Sequence, residues 1–596
     1  MKPEKHKSKP AHRHDGWRKA SLSLALLLGS FMPCFAAVPK GEPMRGPAHE
    51  KFSKDLLEHQ RDASQQKALI DVVVQFRETP RAEHYARMMS RGATVKTKLH
   101  SIRAAAFRIP VSALAKLEKD PDIVYVSVDR PVHLNDVGFE PYNSAVMADV
   151  AAEQYGYDGT GVGVAVIDSG VSDHPDLHNT TGSSRVVYSQ SFVAGDSTTG
   201  DAYGHGTHVA GIVAGNGSAS GPGTGYSTQY KGVAPNANII NLRVLDGTGT
   251  GTDSQVIAAI QEAIQLKSTY NIRVINLSLG RPVYESYTLD PLCQAVEQAW
   301  QAGIFVAVAA GNYGRDNTYS TLGFGTIAAP GNDPYVITVG ATRTMGTDTR
   351  SDDAIASYSS KGPTPIDHIV KPDVVAPGNR IISLIDSGST LDTEFPTMEV
   401  GPASCTGTCT ASYFRLSGTS MSTPVVSGAA ALMFQETSTL TPDTVKARMM
   451  KTAWKGFGTF CTSYDIYNNP YNNEYDIFTY GSGILDTDDA LASTDVANGF
   501  ALSPTAVYNA AKNTVTLVNT ATGVAGTSVI WGTSVIWGTS VIWGTSVLQA
   551  NSVIWGSSVI WGSSTTQGFS VIWGTSVIWG SSITNTAFSD SQDGEN

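Results

Sequence analysis

Short blocks of apolar residues divide residues 68–134 into alternating strands and helices. The predicted strands are Ile70 to Phe76, Ala104 to Ile109 and Ile123 to Val128, and the predicted helices are Arg81 to Ser90 and Ser112 to Glu118. The order strand–helix–strand–helix–strand within fewer than 70 residues indicates a small α/β unit of the ferredoxin-like type.

From Gly161 onward the apolar blocks are rich in Val, Ile and Ala and alternate with amphipathic segments. The predicted strands are Val162 to Ile167, Ile239 to Val244, Val274 to Leu279 and Ile304 to Ala310, with a predicted helix near Ser254 to Leu266. Strands that are apolar on both faces and separated by helices predict a doubly wound parallel sheet with helices on both sides. In this class of α/β fold, active sites lie at the carboxyl ends of the strands.

The length of 596 residues and an uneven distribution of charge indicate several regions. At roughly 150 residues per domain, the chain is too long for one compact core. The net charge of −11 combines +5 over residues 1–36, +3 over residues 37–140 and −19 over residues 141–596. We expect a leader at 1–36, a small domain at 37–140 and a main domain at 141–495. The acidic main region argues against nucleic acid as the principal partner.

The leader has the pattern of a secretory signal peptide. Residues 2–19 are polar and basic, Ser21 to Met32 are apolar, and Cys34-Phe35-Ala36 offers small residues for cleavage near Ala36. An apolar run of 12 residues is too short to span a bilayer, which needs about 20. The leader therefore predicts a secreted, extracellular or cell-surface protein.

Removing the leader with Cys34 leaves four cysteines for an oxidising compartment. Four cysteines allow two disulfides in three connectivities. Because Cys405 and Cys409 are four residues apart in one loop, we expect them to pair locally and Cys293 to pair with Cys461.

The C-terminal extension, residues 496–596, has a different composition. Seven of the ten tryptophans lie between Trp531 and Trp579, inside the uncharged stretch 513–589, and they recur every six or twelve residues in Ser-Val-Ile-Trp-Gly-Thr/Ser. A β-prone run followed by a Gly-containing corner predicts a β-rich hexapeptide-repeat tail. We expect a structural or secretion-related extension; contact with a cell surface or matrix, or binding of glycan or apolar substrate, are the alternatives.

Three residues with acid–base or nucleophilic chemistry follow predicted strands or begin predicted helices. Asp168 ends an apolar strand, His205 lies in Gly-His-Gly-Thr-His before a run of small residues, and Ser420 precedes an apolar helix at Val425 to Phe434. Pro424 suits the first turn of that helix, because proline donates no backbone hydrogen bond there. Each residue alone has a structural explanation, as a turn, cap or core residue. The same structural role is expected for the remaining histidines of these segments, His174, His178 and His208.

Together, the segments VAVIDSG, GHGTHVAG and GTSMSTP resemble the three signature motifs of the subtilisin-like serine proteases, in the order Asp, His, Ser. The resemblance spans about residues 150–492. Departures are Ser422, where the family often has alanine, and Val425, where it often has histidine.

The resemblance implies a role for each site residue. Ser420 is the nucleophile, His205 the general base and acid, Asp168 the residue that orients His205, and Asn312 an oxyanion donor together with the Ser420 backbone N–H. Two strips resemble the walls of the primary specificity pocket and predict a tolerant, apolar first site: Ser278, Leu279 and Gly280, and Ala310 and Gly311.

The resemblance also implies how the chain is regulated and what it binds. The small α/β unit at 37–140 corresponds to an inhibitory propeptide, cut between about Asn135 and Tyr155. No cofactor is required for the chemistry, and no metal ligand set is assigned. Structural calcium is common in the family, and Asp176 matches a ligand position, whereas the loop from Gly215 to Tyr230 does not show the other ligands.

The sequence thus predicts a secreted serine endopeptidase that is made as a zymogen and acts on polypeptides. One alternative is a non-enzymatic surface or matrix protein that uses its tail for adhesion. Another is a maturation protease with a single partner.

Overall fold

The computed structural model describes residues 51–53, 56–57, 60, 68–129, 131–134, 142–317, 321–347, 349–404, 410–457, 460–464, 469–497, 499–509, 514–518 and 547–549. The predicted leader, the tryptophan repeats, and Cys34, Cys405 and Cys409 lie outside these residues. None of the helices in these ranges is long and apolar enough to cross a membrane.

Within residues 68–129, the leading unit is a four-stranded antiparallel sheet with two α-helices. Strands β1 to β4 cover Leu69–Phe76, Thr94–Leu99, Ala104–Pro110 and Ile123–Val128, and helices α1 and α2 cover Ala82–Ser90 and Leu114–Glu118. The sheet order is β2–β3–β1–β4, and its core includes Val72, Val74, Phe107 and Leu117. This βαββαβ order is that of ferredoxin-like domains. The sequence prediction lacked β2, because this edge strand is polar (TVKTKL) and buries only Leu99.

The remaining strands lie in the main domain and its extensions. Strands β5 to β23 cover Pro131–Leu134, Gly163–Asp168, Val186–Ser191, Asn238–Arg243, Thr250–Thr252, Ile272–Leu277, Leu279–Gly280, Phe305–Ala309, Ile337–Arg343, Ala354–Ile355, Val374–Pro377, Ile381–Leu384, Glu399–Val400, Tyr413–Leu416, Phe460–Tyr464, Pro470–Glu474, Thr505–Asn509, Thr514–Val518 and Val547–Gln549. Helices α3 to α10 cover Ala148–Tyr155, His205–Ala214, Asp253–Tyr270, Pro291–Gln301, Thr390–Glu394, Thr419–Glu436, Pro442–Thr452 and Thr487–Ala492.

The main domain contains the expected parallel sheet. Its order is β14–β13–β12–β10–β6–β8–β7, with β15 also paired to β13, and only β14 runs antiparallel to its neighbour. The central strands β6 and β12 are buried along their whole length. Helices α4 and α8 pack on each other and on the sheet, and α5 and α6 form a second such pair. This arrangement sets the ends of β6, β10 and β12 side by side.

The cysteine prediction is wrong for the pair that the structure describes. Cys293 and Cys461 are both free thiols. Cys293 is buried in α6 and its Sγ donates to Asn332 Oδ1 at 3.3 Å, whereas Cys461 lies in the β19–β20 hairpin. The prediction failed because the number of cysteines does not show which of them lie close together in the fold.

Candidate active site

A carboxylate–imidazole pair lies at the carboxyl end of β6. Asp168 is the last residue of β6 and His205 the first residue of α4, and His205 Nδ1 donates to Asp168 Oδ1 at 2.8 Å. Both side chains are fully buried. Because a carboxylate only accepts, this hydrogen bond holds the imidazole proton on Nδ1 and leaves the Nε2 lone pair available.

A second buried carboxylate, Asp201, supports this pair and was not predicted. Its Oδ1 accepts from the Gly204 N–H at 2.8 Å and from Ser169 Oγ at 2.7 Å, and its Oδ2 accepts from the Thr207 N–H at 2.7 Å. Asp201 therefore caps the start of α4, where the N-cap residue Gly204 has no side chain to do so. Burial, with the charge of Asp168 adding to it, raises the pKa of Asp201 to about 6.

Ser420 lies in the first turn of α8 and is tied to the end of β10. Its Oγ donates to the Ser278 carbonyl at 3.0 Å, and Ser278 Oγ donates to the Ser420 carbonyl at 2.7 Å. The predicted position of Pro424 is wrong: α8 begins at Thr419, so the proline lies inside the helix. Pro424 cannot donate to the Ser420 carbonyl four residues earlier, and Ser278 Oγ supplies that missing hydrogen bond.

Asn312 follows β12 and faces the residue before Ser420. Its Oδ1 accepts from the Thr419 N–H and from Thr419 Oγ1, both at 3.0 Å. Thr419 Oγ1 in turn accepts from the Gly311 N–H at 3.1 Å. The Asn312 Nδ2 is buried and has no hydrogen-bond partner among the described residues. This leaves an amide donor that is fixed in orientation and unused.

The two predicted specificity strips converge on Ala328. A Cβ added to Gly280 or to Gly311 would lie 3.2 Å from the Ala328 Cβ, and Gly311 has a φ of +104°. Only glycine fits both positions, because side chains would fill the space between the strips. Next to the strips is a small, partly open depression whose lining includes Val283, Tyr313, Asp316 and Ile327. Apolar and polar groups share this wall.

A buried ion cluster that was not predicted anchors the first strip. Arg281 follows Gly280, and it contacts Asp253 at the start of α5 and Asp290 at the start of α6, at 2.9 and 2.8 Å. All three residues are at most 1% exposed. The strip is thereby fixed to the N-termini of two helices.

The chain's own strand β5 lies against this strip. It forms a three-stranded sheet between β11 and β9, antiparallel to both, with Leu134 facing Leu279, His133 facing Gly280 and Val132 facing Gly251. A peptide in this position has the backbone pairing that an extended substrate would use. The backbone groups of the predicted binding strip are therefore paired with residues 131–134.

The other histidines of the motifs make contacts outside this pair. His208 is buried with Nε2 3.2 Å from the Phe414 carbonyl, and burial lowers its pKa to about 3. His174 Nδ1 accepts from the Asp176 N–H at 3.1 Å, and His178 Nε2 lies 2.6 Å from Asp173. Within the described ranges, no group of three His, Cys, Asp or Glu side chains is arranged to hold a metal ion.

Comparisons with known proteins agree with this geometry. Residues 159–533 match the Subtilase family of peptidase S8. Serine protease AprX of Bacillus subtilis is 38% identical over 359 residues, which are 59% of this chain and 74% of that protein. Subtilisin E of the same organism is 34% identical over 386 residues, which are 64% of this chain and 84% of that protein.

Among solved structures, fervidolysin from Fervidobacterium pennivorans, a keratinolytic enzyme related to subtilisin, is similar in fold. The TM-score is 0.54 at 20% identity, and the similarity covers 78% of this chain and 66% of that chain. At this identity the likeness shows the fold alone. The family match, by contrast, covers more than half of the sequence, and the chain belongs to the subtilase family of serine endopeptidases.

Proposed function

We propose that this subtilase cleaves peptide bonds with Ser420 as nucleophile, His205 as general base and acid, and Asp168 as the residue that orients His205. The observation that carries the proposal is the buried 2.8 Å hydrogen bond between His205 Nδ1 and Asp168, which leaves Nε2 as a base. The reaction requires the Ser420 proton, which Oγ donates here to the Ser278 carbonyl, to pass to that nitrogen.

The reaction proceeds in two halves. Ser420 Oγ attacks the scissile carbonyl while His205 Nε2 takes the hydroxyl proton and passes it to the leaving amine, which forms an acyl-enzyme. Water, activated by His205, then hydrolyses the ester. In both halves the oxyanion accepts hydrogen bonds from the Asn312 side-chain amide and the Ser420 N–H, donors that need no rearrangement during the reaction.

Replacement of Ser420 by alanine tests the proposal, with Ser422→Ala as the matched control. Ser422 lies in the same helix, and its hydroxyl donates to the Ala376 carbonyl at 2.9 Å. We expect Ser420→Ala to abolish casein hydrolysis and labelling by a fluorophosphonate, and Ser422→Ala to retain both. A chain whose activity and labelling survive Ser420→Ala has another nucleophile. Absence of both from the mature parent protein would favour the non-enzymatic alternative.

We further propose that residues 37–140 form an inhibitory propeptide. Strand β5, which lies between β11 and β9, supports this because it occupies the backbone positions of a substrate. Asp129 adds a second contact: its carboxylate accepts from the Ser254 N–H at 2.8 Å and from Ser254 Oγ at 2.6 Å, at the N-terminus of α5. The +3 charge of this segment complements the −19 of residues 141–596.

An inhibition assay tests the propeptide. Residues 37–140 have a hydrophobic core of their own, so they can be added to mature enzyme as a separate polypeptide. We expect inhibition, and we expect Asp129→Asn to weaken it more than Asp71→Asn does. The Asp71 carboxylate forms its ion pairs with Lys96 and Arg108, within the same unit. No inhibition by the parent segment would contradict the proposal.

The enzyme is proposed to be secreted and to act on a range of polypeptides with an apolar first residue, and its tail to contact a cell surface or matrix. The small residues of the two strips support the tolerant first site. Cleavage-site profiling on a peptide library distinguishes a broad protease from a maturation protease with a single partner, because the latter would cleave few library members. Intact mass of the protein in the culture medium tests export and trimming of the tail.

A further inference from the structure

The carboxylate of Asp176 is the junction of three segments, each of which is continuous with one residue of the proposed catalytic triad. Asp176 lies eight residues after Asp168, in the 3₁₀ turn Pro175–Leu177. Ser218 begins the 3₁₀ turn that follows α4, the helix that starts with His205. Tyr413 begins β18, the strand that precedes Ser420.

Protein donors occupy both oxygens of this carboxylate. Oδ1 accepts from Ser218 Oγ at 3.0 Å and from the Ala219 N–H at 2.7 Å, and Oδ2 accepts from the Tyr413 hydroxyl at 2.7 Å. Asp176 and Tyr413 are both 0% exposed. Burial, with the charge of Asp176 adding to it, raises the pKa of Tyr413, so this hydroxyl keeps its proton.

The groups around Asp176 do not fit the structural calcium that the sequence suggested. Calcium requires six to eight oxygen ligands with free lone pairs, whereas three N–H or O–H protons point at this carboxylate. A cation would displace the Tyr413 hydroxyl and the Ala219 N–H; the hydroxyl would keep Ser220 Oγ at 2.7 Å, whereas the Ala219 N–H would lose its acceptor. The carbonyl of Gly217 in the adjacent loop is also engaged, because it accepts from Gln229 Nε2 at 3.1 Å.

Aromatic rings fill the space next to the junction. The rings of Tyr226, Tyr230 and His174 lie 5.3, 4.8 and 6.0 Å from the ring of Tyr413, measured between centroids. His174 also links the segments, because Nδ1 accepts from the Asp176 N–H and Nε2 lies 3.0 Å from the Ser412 carbonyl. On the side of Tyr413, aromatic side chains of the protein therefore pack next to Asp176.

We propose that Asp176 joins these three segments through protein hydrogen bonds alone, in the place where a calcium ion would otherwise do so. The stability of this junction does not depend on calcium. The inference concerns stability and metal binding, and it holds whether or not the proposed catalytic roles are correct.

Thermal unfolding of the full chain in excess EDTA and in excess calcium chloride tests the proposal. The Ser420→Ala background is used throughout to suppress self-digestion. Asp176→Asn and Tyr413→Phe are compared with the parent, and Asp173→Asn is the matched control. Asp173 lies three residues before Asp176, its side chain is 77% exposed, and it contacts His178.

We expect the parent midpoint to be the same in EDTA and in calcium. Tyr413→Phe and Asp176→Asn should lower it by about 2–4 °C or more in both conditions, and Asp173→Asn should leave it unchanged. Tyr413→Phe keeps the aromatic ring and removes only the hydroxyl. It therefore tests the hydrogen bond to Asp176 even if Asp176→Asn fails to fold. If calcium shifts the unfolding midpoint of the parent and of Asp176→Asn equally, the ion binds at a site other than Asp176, and this result also supports the proposal.

Two results would overturn the inference. One is a calcium-dependent rise in the midpoint of the parent that Asp176→Asn abolishes, accompanied in equilibrium dialysis with calcium by the loss of one bound ion. The other is an unchanged midpoint for Tyr413→Phe, which would show that its hydrogen bond to Asp176 does not hold the junction together.

Discussion

Asn312 turns its side-chain carbonyl towards Thr419, so that Oδ1 accepts both the backbone N–H and the hydroxyl of that residue at 3.0 Å. The two hydrogen bonds fix the plane of the amide, and they leave the buried Nδ2 without a partner among the described residues. An amide held by its oxygen next to Ser420 is a preorganised donor for negative charge.

Replacing Asn312 by alanine removes this donor. We expect kcat to fall by about 100- to 1,000-fold with little change in KM, the range known for loss of an oxyanion donor in a subtilisin. Thr419→Val removes only one of the two hydrogen bonds that orient the amide, and its loss should be smaller. Steady-state kinetics on a peptide substrate measures both. A rise in KM without a fall in kcat would show that Asn312 binds the ground state instead.

Asp201 is expected to position His205 through the start of α4. Asp201→Asn replaces one acceptor oxygen by an NH₂ group that faces either the Thr207 N–H or the donors at Oδ1. Displacement of the imidazole should lower kcat by about 10- to 100-fold while KM changes little. The surface variant Asp149→Asn is the control, since Asp149 is exposed and accepts from the N–H of its neighbour Val150. Equal kcat values for the two variants would restrict Asp201 to a role in stability.

The register of β5 predicts the first residue of the mature enzyme. Leu134 pairs with Leu279 and His133 pairs with Gly280 in antiparallel register, and we expect the next residue, Asn135, to meet Ser278 when the chain is cut. Because the Ser278 carbonyl accepts from Ser420 Oγ, we expect Ser420 to attack the carbonyl of Asn135. N-terminal sequencing should then begin at Asp136. The uncut Ser420→Ala chain is the control, and a mature N-terminus several residues away would refute the register.

Glu297 lies close enough to Asp333 for the charge of that carboxylate to act on it. Burial, with the charge of Asp333 adding to it, raises the pKa of Glu297 to about 9 from an ordinary value of 4.5. Because the pKa of Glu297 is higher in the folded state than in the unfolded state, protonated Glu297 contributes fully to the free energy of unfolding below about pH 4.5. This contribution is lost progressively as the pH rises to about 9.

Glu297→Gln should therefore reduce the fall in Tm between about pH 5 and pH 9 by a few degrees. The amide keeps a hydrogen-bond donor for Asp333 and carries no proton to lose. Exposed Glu153 offers a control, because Glu153→Gln should follow the parent curve. Parallel curves of Tm against pH for Glu297→Gln and the parent would contradict the raised pKa of Glu297.

Most elements of the main sheet were predictable because each buried strand is a local run of Val, Ile and Ala, as in Gly163–Asp168. Predictions failed where the local pattern was weak. Strand Thr94–Leu99 has alternating polar residues because it lies at the sheet edge, and α8 begins at Thr419 because Ser278 compensates for Pro424. The pairing of Cys293 with Cys461 failed because spacing does not determine distance.

The sequence by itself determined which residues make up the proposed site: Asp168, His205 and Ser420 in that order, and the Asn312 that follows a buried strand. These residues can be recognised because each lies in a short motif of residues that are adjacent in the chain. Only the tertiary structure decided what each group contacts, such as Tyr413 on Asp176 at a separation of 237 residues. Long-range hydrogen bonds depend on how separate segments pack, and the periodicity of each segment carries no information about its partner.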